Sequence, residues 1–423
     1  MEHQPVDIAV VGAGAAGLMT AIWAARTARK GNRPLEVLLI DSRPKIGAKI
    51  LMSGGTRCNV THKEVKPSDF QGGPSHFVKH VLEAFTPRET IRFFEEIGVA
   101  LVLEPTGKYF PVTHSAQTVL DALIREAERA GVTLKKGVRI TEIRQKGSLF
   151  HLQSDQGMDR VTARKMVLTT GGLSYPTTGS DGTGYALVKS FGHTVVATFP
   201  ALTPLLTNDS DWKTLSGLSL EAGLSFSRKG KKECECRGAF LFTHFGFSGP
   251  AALDISGHYA AAKKEDNPRI TASFLPHHHG ESLTALFQNA QKKKPAKLLK
   301  NFLTEKFFLP ERFVVVLLRK AGIRAEETAG GCSKENRLRL IRALLDYPLE
   351  VSGVFGYKKA EVTAGGVDLK EVKVQTMESK LAEGLYLAGE ILDVDGRIGG
   401  FNFQWAWSTG ALAGRGAAKS LIA

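Results

Sequence analysis

The chain has 423 residues, of which 43% are hydrophobic and 23% charged, and this composition is typical of a globular protein with two or more domains. Its four cysteines, two of them in Cys234-x-Cys236, fit neither a disulfide framework nor a spaced zinc motif, so we expect a cytoplasmic protein without a metal site. The apolar run from Ile8 to Ala25 contains glycines and follows Glu2 and Asp7 rather than Lys or Arg. We therefore expect neither a signal sequence nor a membrane span there.

The formal net charge of +14 admits nucleic acid as a partner, but the distribution of the charge matters more than its sum. The stretch from Lys292 to Lys320 holds nine basic and two acidic residues. It is either the solvated face of a group of helices or a surface that contacts RNA, and the sequence leaves both interpretations open.

The segment D-I-A-V-V-G-A-G-A-A-G, which ends at Gly17, has the pattern of a dinucleotide-binding turn. A buried strand over 8–11 leads into Gly12, which permits the tight turn, and Gly14 lets the backbone approach a pyrophosphate. Gly17 lets the next helix lie close to the strand. That helix, predicted over 15–30, directs the amides of Ala15 and Ala16 toward the phosphates.

A second apolar strand, predicted from Leu35 to Ile40, ends in Asp41. An acidic residue at this position accepts hydrogen bonds from the adenosine ribose, which favours a nucleotide without a 2′-phosphate. The alternative is a glycine-rich strand, turn and helix that bind no cofactor.

The polar loop that follows, from Pro44 to Thr61, indicates a function rather than a simple connection. Two adjacent glycines let the backbone pass close to a flat ligand, and four side chains supply hydrogen-bond donors for phosphate or ring carbonyls. The glycines are Gly54 and Gly55, and the donors are Lys49, Ser53, Arg57 and Asn59. Cys58 is either an ordinary buried residue or a proton donor that faces the substrate.

The next part of the chain is predicted to contain helices over 77–98 and 115–130, then a pair of strands over 133–136 and 138–145. Val138 can offer its backbone to an adenine edge. A buried strand over 165–170 precedes Gly171 and Gly172, where the backbone passes close to a ligand or turns sharply. No second strand-glycine-helix unit follows, so any NAD(P)H would bind transiently as a hydride donor.

From about Phe191 the pattern changes to short strands over 195–199, 218–226, 233–243 and 269–275, typical of a small antiparallel barrel or sandwich. Residues 281–346 then become helical. In the loop T-H-F-G-F-S-G-P, His244 is either a structural histidine or a catalytic group that titrates near neutral pH. The three adjacent histidines at 277–279 indicate a solvated loop.

The end of the chain returns to the pattern of its beginning. An apolar strand within 384–389 reaches Gly389 and ends at Glu390, whose carboxylate can hydrogen-bond ribityl hydroxyls. Two glycines then open a helix whose first amides can face a flavin's pyrimidine carbonyl or anionic N1. The residues concerned are Gly399, Gly400, Phe401 and Asn402. The first and last parts of the chain are therefore expected to build one site.

Together these motifs resemble the BaiN-like flavoproteins, which are often described as NAD(P)/FAD-dependent oxidoreductases or aminoacetone-oxidase-family FAD-binding enzymes. The resemblance spans nearly the whole chain and includes S-G-G-T-R-C-N at 53–59, T-G-G-L-S-Y-P at 170–176 and G-G-F-N-F-Q-W-A-W-S-T-G at 399–410. Thr56 departs from the family, which usually has glycine there, so the backbone at this point is expected to be less free to take positive φ.

The resemblance implies an α/β fold: a Rossmann-type FAD domain of the two-dinucleotide kind, with a β-barrel-like domain and a helical subdomain inserted. On this basis residues 1–190 and 356–423 form the FAD domain, 191–280 the β-rich insert, and 281–355 the helical insert with a return strand. The family's FAD contacts fall on Gly12, Gly14, Gly17, Asp41, Gly54, Arg57, Glu390 and Asn402.

The leading functional hypothesis is a reductase in which flavin N5 delivers hydride to an activated C=C bond while Cys58 or His244 protonates the other carbon. The substrate is the uracil C5=C6 bond of ribosomal RNA or a small conjugated enone. Two alternatives remain: an RNA- or ribosome-associated protein whose flavin is structural or a sensor, and an oxidase of small amines. The oligomeric state is left open.

Overall fold

The computed structural model describes residues 4–155 and 161–422, which form two compact units. The first unit contains the described residues up to Phe199 together with those from Glu361 onward. The second unit is Pro200–Ala360. Each unit has its own hydrophobic core.

The strands, in chain order, are β1 Val6–Val11, β2 Val37–Asp41, β3 Thr61–His62, β4 Phe70–Gly72, β5 Leu101–Leu103, β6 Lys108–Pro111, β7 Thr133–Lys136, β8 Ile140–Lys146, β9 Leu149–Ser154, β10 Val161–Leu168, β11 Val195–Ala201, β12 Leu205–Leu206, β13 Ser219–Arg228, β14 Lys231–Thr243, β15 Gly246–Ser248, β16 Arg269–Ser273, β17 Tyr347–Leu349, β18 Gly353–Val354, β19 Val362–Val367, β20 Leu385–Leu387 and β21 Val394–Gly396.

The α-helices are α1 Ala15–Lys30, α2 Ala48–Thr56, α3 Ser75–Ala84, α4 Pro87–Glu96, α5 Ala116–Arg129, α6 Thr183–Lys189, α7 Ser210–Lys213, α8 Pro250–Ala261, α9 Gly280–Lys293, α10 Leu299–Phe307, α11 Glu311–Lys320, α12 Lys334–Leu345 and α13 Phe401–Ile422. Short 3-10 turns occur at Pro67–Asp69, Pro176–Thr178, Lys264–Asp266, Leu369–Glu371 and Gly389–Ile391.

The main sheet of the first unit has the order β7-β2-β1-β10-β9-β8. Strands β7, β2, β1 and β10 are parallel, and β10 pairs along its second half with β20, also in parallel. Because parallel strands end at the same edge of a sheet, the turn after β1, Asp41 at the end of β2 and the segments after β10 and β20 meet there. The predicted Rossmann-type arrangement is confirmed.

The two ends of the chain meet through the packing of α1 against α13. A Cβ at Gly410 would lie 2.6 Å from the carbonyl oxygen of Ala16, and one at Gly414 would lie 2.3 Å from that of Thr20. Any larger side chain at these positions would separate the helices. The last helix therefore rests directly on the helix that follows the glycine turn.

The second unit contains an antiparallel seven-stranded sheet in the order β17-β16-β13-β14-β15-β12-β18. One aromatic core joins this sheet to the helices, with Trp212 lying 5.5 Å from Phe242 on β14 and 6.2 Å from Phe313 on α11, measured between ring centroids. The strands predicted over 218–226, 233–243 and 269–275 all belong to this sheet.

Three details differ from the sequence-based predictions. The helix predicted over 77–98 is two helices, because Thr86 begins α4 with a capping box in which its hydroxyl accepts from the amide of Glu89. Strands β7 and β8 are not partners of each other: β7 pairs with β2, and β8 pairs with β9. Strand β11, predicted to belong to the insert, pairs with β19.

Candidate functional site

The turn after β1 has the geometry that its glycines predict. Gly12 has φ +103°, and a Cβ there would lie 2.5 Å from the carbonyl oxygen of Thr169. A Cβ at Gly17 would lie 1.7 Å from the carbonyl oxygen of Gly12. In contrast, a Cβ at Gly14 would meet nothing within 4 Å. Gly14 therefore faces open space at the beginning of α1, which has no side-chain cap.

Asp41 connects the end of β2 to this turn. Its carboxylate accepts hydrogen bonds from the amides of Ala13 (2.6 Å) and Arg43 (2.7 Å). Burial raises the pKa of Asp41 above its ordinary value, while these amides, and Arg43 and Arg139 by charge, act in the opposite direction. The amide of Val138 donates to the carbonyl of Asp41 at 2.9 Å, so the carbonyl of Val138 is the part of its backbone left to face a base.

A polar cluster lies where the segments after β10 and β20 approach α2. Lys49 pairs with the Glu390 carboxylate and donates to the hydroxyl of Ser174 at 2.6 Å. Ser174 also donates to Glu390, and the amide of Thr363 donates to the same carboxylate at 3.0 Å. Glu390 and Lys49 are partly exposed, with 17% and 30% of their side-chain surface accessible. The cluster thus holds one carboxylate in a fixed orientation with a face open to solvent.

The end of α2 is not regular helix. Ser53 is extended, with its hydroxyl bonded to the carbonyl of Ile50, and Gly54, Gly55 and Thr56 have φ of +55°, +66° and +68°. Thr56 therefore adopts the left-handed conformation that its side chain was expected to disfavour. A β-branched residue in this region is an outlier that the surrounding structure must impose. Cys58, with φ +59°, is left-handed as well.

Arg57 lies over the ring of Phe110, with its guanidinium carbon 4.0 Å from the ring centroid. It also pairs with Glu104 at 2.6 Å. A stacked, paired guanidinium has little freedom, so the Arg57 side chain is presented in one orientation beside Gly54.

The side chain of Asn59 lies next to Gly400, the residue that precedes α13. Its side chain is 8% exposed, and its Oδ1 atom has no hydrogen-bond partner among the described residues. A Cβ at Gly400 would lie 2.8 Å from this oxygen. Asn402 uses both ends of its amide to hold Gly396, at 2.8 and 2.7 Å, so its side chain fixes the loop before the helix. The Phe401 ring is buried and stacks on His62 with 4.9 Å between centroids.

The remaining predicted glycines mark close approaches of the backbone. A Cβ at Gly172 would lie 2.5 Å from the Thr363 hydroxyl, one at Gly389 would lie 2.7 Å from the Cβ of Ala16, and one at Gly171 would meet Ser180 at 2.5 Å. Gly399 has φ +132°. Ala16 is 6% exposed, and Ala15 is half-buried in the first turn of α1.

The two candidate acids differ in exposure. Cys58 is 0% exposed, and burial raises the pKa of its thiol to about 12, against the effect of a hydrogen bond with Ser53. His244 lies in the second unit, in the turn between β14 and β15, where its imidazole is exposed and contacts Phe245 edge to face at 4.9 Å.

Sequence reasoning missed three members of the first unit's site: Ser174, Thr363 and Glu104. Ser174 lies in T-G-G-L-S-Y-P, a glycine-containing segment already noted, and Thr363 lies in A-E-V-T-A-G-G, which contains a glycine pair of the same kind. The signal was therefore present, but nothing in a linear pattern indicates that both contact Glu390.

The residues of the first unit fit FAD. Open space at Gly14 and an uncapped helix suit a pyrophosphate, and Asp41 lies where a ribose is bound in this fold. The unpartnered Asn59 oxygen beside Gly400 can accept from a ring N–H. Gly14 and Asp41 lie at the edge at which the parallel strands end.

Comparison with known proteins agrees with this assignment. The family described as "HI0933-like protein Rossmann domain" matches residues 6–416. The chain is 34% identical to a 3-dehydro-bile acid delta(4,6)-reductase of Clostridium scindens, over 97% of this chain and 99% of that one. It is 34% identical to a ribosomal RNA dihydrouridine synthase of Escherichia coli, over 95% of this chain and 96% of that one. The crystal structure of a 3-ketosteroid-delta4-(5alpha)-dehydrogenase from Rhodococcus jostii aligns with 98% of this chain over 97% of its own length, with a TM-score of 0.49 and 14% sequence identity.

The fold, the family model and the two relatives that are 34% identical define the protein as an FAD-dependent oxidoreductase with a Rossmann-type domain. The chain belongs to the HI0933-like Rossmann family, and the resemblance inferred from its motifs is confirmed. Within the part of the chain that the structure describes, no helix has the length and apolarity needed to cross a membrane.

Proposed function

We propose that this oxidoreductase reduces a C=C bond conjugated to a carbonyl, and that its substrate is the uracil C5=C6 bond of ribosomal RNA. The observation that carries the proposal is the agreement between two relatives, each 34% identical to this chain over nearly its whole length. Their names specify different substrates, but both describe the addition of hydrogen to a double bond. One name specifies a reductase acting at double-bond positions, and the other specifies a synthase of dihydrouridine, which is uridine with two added hydrogens.

FAD, when bound and reduced, supplies a hydride equivalent to such a bond. The chain's own residues then have three tasks. The amides at the beginning of α1 and the open space at Gly14 receive the pyrophosphate, and Asp41 receives the adenosine ribose. Glu390, fixed by Lys49 and Ser174, accepts hydrogen bonds from ribityl hydroxyls. The first amides of α13 stabilise negative charge at the pyrimidine end.

The reaction also needs a proton for the second carbon, and exposure favours His244 over Cys58 for this role. A donor must come within hydrogen-bonding distance of the substrate. The imidazole of His244 is exposed, whereas the thiol of Cys58 has no accessible surface and, with its raised pKa, is a weak acid. Of the two candidates, His244 therefore remains as the candidate proton donor, and Cys58 is assigned a structural role.

The charge of the second unit supports an RNA substrate. Residues 200–360 contain 25 Lys and Arg against 16 Asp and Glu, so this unit carries +9 of the net +14. Several cations of the basic stretch are compensated, because Lys297, Lys300, Arg319 and Lys320 pair with carboxylates. Lys292, Lys293, Lys294 and Lys306 are exposed and available to phosphates, as is Arg312, which donates to the carbonyl of Thr214.

Phe308 adds a second feature suited to RNA. Its side chain is 90% exposed, the largest exposure of any large apolar residue that the structure describes. It sits between α10 and α11 with φ +54°, a conformation that bulky residues rarely adopt. An exposed aromatic ring two residues from Lys306 can stack on an unpaired base while the ammonium contacts the backbone.

A small conjugated enone is the second candidate substrate, and the bile-acid reductase relative favours it. The two candidates share the hydride transfer and differ in what the second unit must bind. An enone needs no cationic surface, so its reduction would be insensitive to salt.

Mapping nucleosides of ribosomal RNA by mass spectrometry, from cells with and without the gene, tests the proposal. We expect one uridine to carry two extra hydrogens only when the gene is present. Identical nucleoside content in both strains would contradict the RNA assignment, and reduction of enones by the purified holoenzyme would then favour the second candidate.

A further inference from the structure

The second unit carries a pair of thiols to which the proposed reduction assigns no role. Cys234 and Cys236 are two residues apart on β14, so their side chains point to the same face of the sheet. Both are half-buried, whereas the alternating residues Glu233, Glu235 and Arg237 are exposed. The two thiols therefore face the helix side rather than solvent.

Helix α8 brings an imidazole to this face. Phe226 is the cross-strand neighbour of Cys234, and its ring centroid lies 6.0 Å from that of His258 on α8. Asp254 precedes His258 by four residues and so lies on the same side of the helix. The register of β13 and β14 thus places an imidazole beside Cys234, with a carboxylate one turn away.

The electrostatics distinguish these thiols from each other and from the other cysteines. The pKa of Cys234 is lowered to about 5, chiefly by a hydrogen bond from the Cys236 thiol. A hydrogen bond from His258 and the charge of His258 act in the same direction, whereas burial opposes them. The pKa of Cys236 is raised by its hydrogen bond to Cys234, by burial and by the charge of Asp254. Burial raises the pKa of Cys58 to about 12 and also raises that of Cys332. Among the four cysteines, the surroundings of Cys234 alone lower the thiol pKa and so favour the thiolate.

We propose that Cys234 and Cys236 form a peroxide-reactive dithiol, in which Cys234 is the attacking sulfur and Cys236 the resolving one. The Cys234 thiolate forms an S–O bond with hydrogen peroxide as the O–O bond breaks, and the leaving hydroxide takes a proton from His258 to become water. The Cys236 thiol then forms the S–S bond as the S–O bond breaks, and a second water leaves. Two thiols lose two electrons and two protons, and one peroxide becomes two waters.

The position of the pair favours a reversible disulfide. The Cα atoms of residues i and i+2 of a strand are about 6.6 Å apart, near the upper limit for a disulfide, and their Cβ atoms are about equally far apart, beyond the roughly 4.5 Å that a disulfide accepts. The strand must therefore bend for the bond to form. The pairing of β13 with β14 shifts register between Phe226 and Ser227, which leaves Glu233, the residue before Cys234, as the bulge at which the strand can bend. A disulfide formed here is strained and therefore easily reduced.

Thiol alkylation with iodoacetamide, followed by peptide mapping of the folded holoenzyme, provides the first test. We expect Cys234 to react first at pH 7, while Cys58 and Cys332 stay unmodified as internal controls. His258→Asn should slow the alkylation of Cys234 about tenfold and move the midpoint of its pH profile upward. The groups facing Cys234 in that profile are Cys236, His258 and Asp254, with Glu233 and Glu235 at the edge of the same strand.

Hydrogen peroxide treatment provides the second test. We expect the intact mass to fall by two hydrogens and to recover with dithiothreitol. In Cys236→Ser, Cys234 should instead accumulate as a sulfenic acid that dimedone traps. Equal alkylation rates for all four cysteines, or peroxide oxidation that spares Cys234, would overturn the proposal. Both tests are independent of which substrate the flavin reduces.

Discussion

Lys49 and Glu390 lie 341 positions apart in the chain and form an ion pair in the first unit, with Ser174 bonded to both. This contact ties the segment after β2 to the segment after β20. The candidate FAD site therefore depends on the meeting of the two ends of the chain, which the packing of α13 on α1 secures.

Glu390→Gln replaces the carboxylate that is proposed to accept hydrogen bonds from ribityl hydroxyls, and it leaves Lys49 without its anionic partner. We expect FAD affinity to fall by about tenfold, since a hydrogen bond to a charged group contributes about 1.5–3 kcal/mol. The dissociation constant can be measured from flavin fluorescence. Glu142→Gln, which removes the partner of the exposed Arg144 elsewhere in the unit, is the control and should bind FAD normally.

Gly14→Ala and Gly17→Ala separate cofactor binding from folding. The methyl of Gly14→Ala enters open space, so the apoprotein should keep its thermal midpoint while FAD affinity drops at least about tenfold, because the pyrophosphate needs that space. Gly17→Ala places a methyl 1.7 Å from a carbonyl oxygen and should prevent folding. Circular dichroism of the apoproteins together with FAD titration distinguishes these effects. Full FAD binding by Gly14→Ala would place the pyrophosphate elsewhere.

Thr56→Gly should stabilise the protein. The left-handed conformation costs a non-glycine residue about 1–2 kcal/mol of folding free energy, and the substitution removes this cost. Glycine also makes the unfolded chain more flexible, which lowers the stability of the folded state by about 0.5–1 kcal/mol. The net expectation is a free energy of unfolding higher by up to about 1.5 kcal/mol. Urea denaturation measures it. A lower stability would show that the Thr56 hydroxyl, which donates to the Gly55 carbonyl at 2.6 Å, outweighs the strain.

His244→Asn and Cys58→Ala test the assignment of the proton donor. Loss of a general acid typically slows the chemical step by about 10²- to 10⁴-fold, so His244→Asn should bind FAD normally but be reoxidised slowly by substrate. Cys58→Ala should keep its rate and lose about 1–2 kcal/mol of stability from the cavity. The reverse outcome, with slow turnover only in Cys58→Ala, would return the acid role to the thiol.

Phe308→Ala should weaken RNA binding by about 1–3 kcal/mol, the value of one base stacked on an aromatic ring. Filter binding with ribosomal RNA fragments at several salt concentrations measures both affinity and salt slope, and only affinity should change. Leu338→Ala, which shortens another exposed apolar residue, on α12, is the control. Unchanged affinity in Phe308→Ala would remove the ring from the RNA surface.

Much of the first unit could be predicted from the sequence because its rules are local. The spacing of Gly12, Gly14 and Gly17 determines a turn within a few residues, and the helix predicted over 15–30 has the bounds observed for α1. Strands β1 and β2 contain continuous apolar runs, I-A-V-V and V-L-L-I, as expected of parallel strands buried on both faces.

What could not be predicted depends on contacts between distant segments. Nothing in the sequence near Arg57 shows that Glu104 and Phe110 fix its guanidinium, and nothing near Lys292–Lys320 shows which cations are neutralised. Thr56 is a different case: its left-handed φ contradicts its own preference, and the surrounding fold imposes it.

Reoxidation of the reduced holoenzyme in the absence of oxygen tests the proposed reduction directly. The FAD is photoreduced and mixed with ribosomal RNA from a strain that lacks the gene, with a conjugated enone in a parallel reaction, and absorbance and product mass are followed. We expect rapid reoxidation by the RNA, slowed by salt, with one uridine gaining two hydrogens. Reduced flavin that persists with both substrates, and returns to the oxidised form only in air, would contradict the proposed reduction.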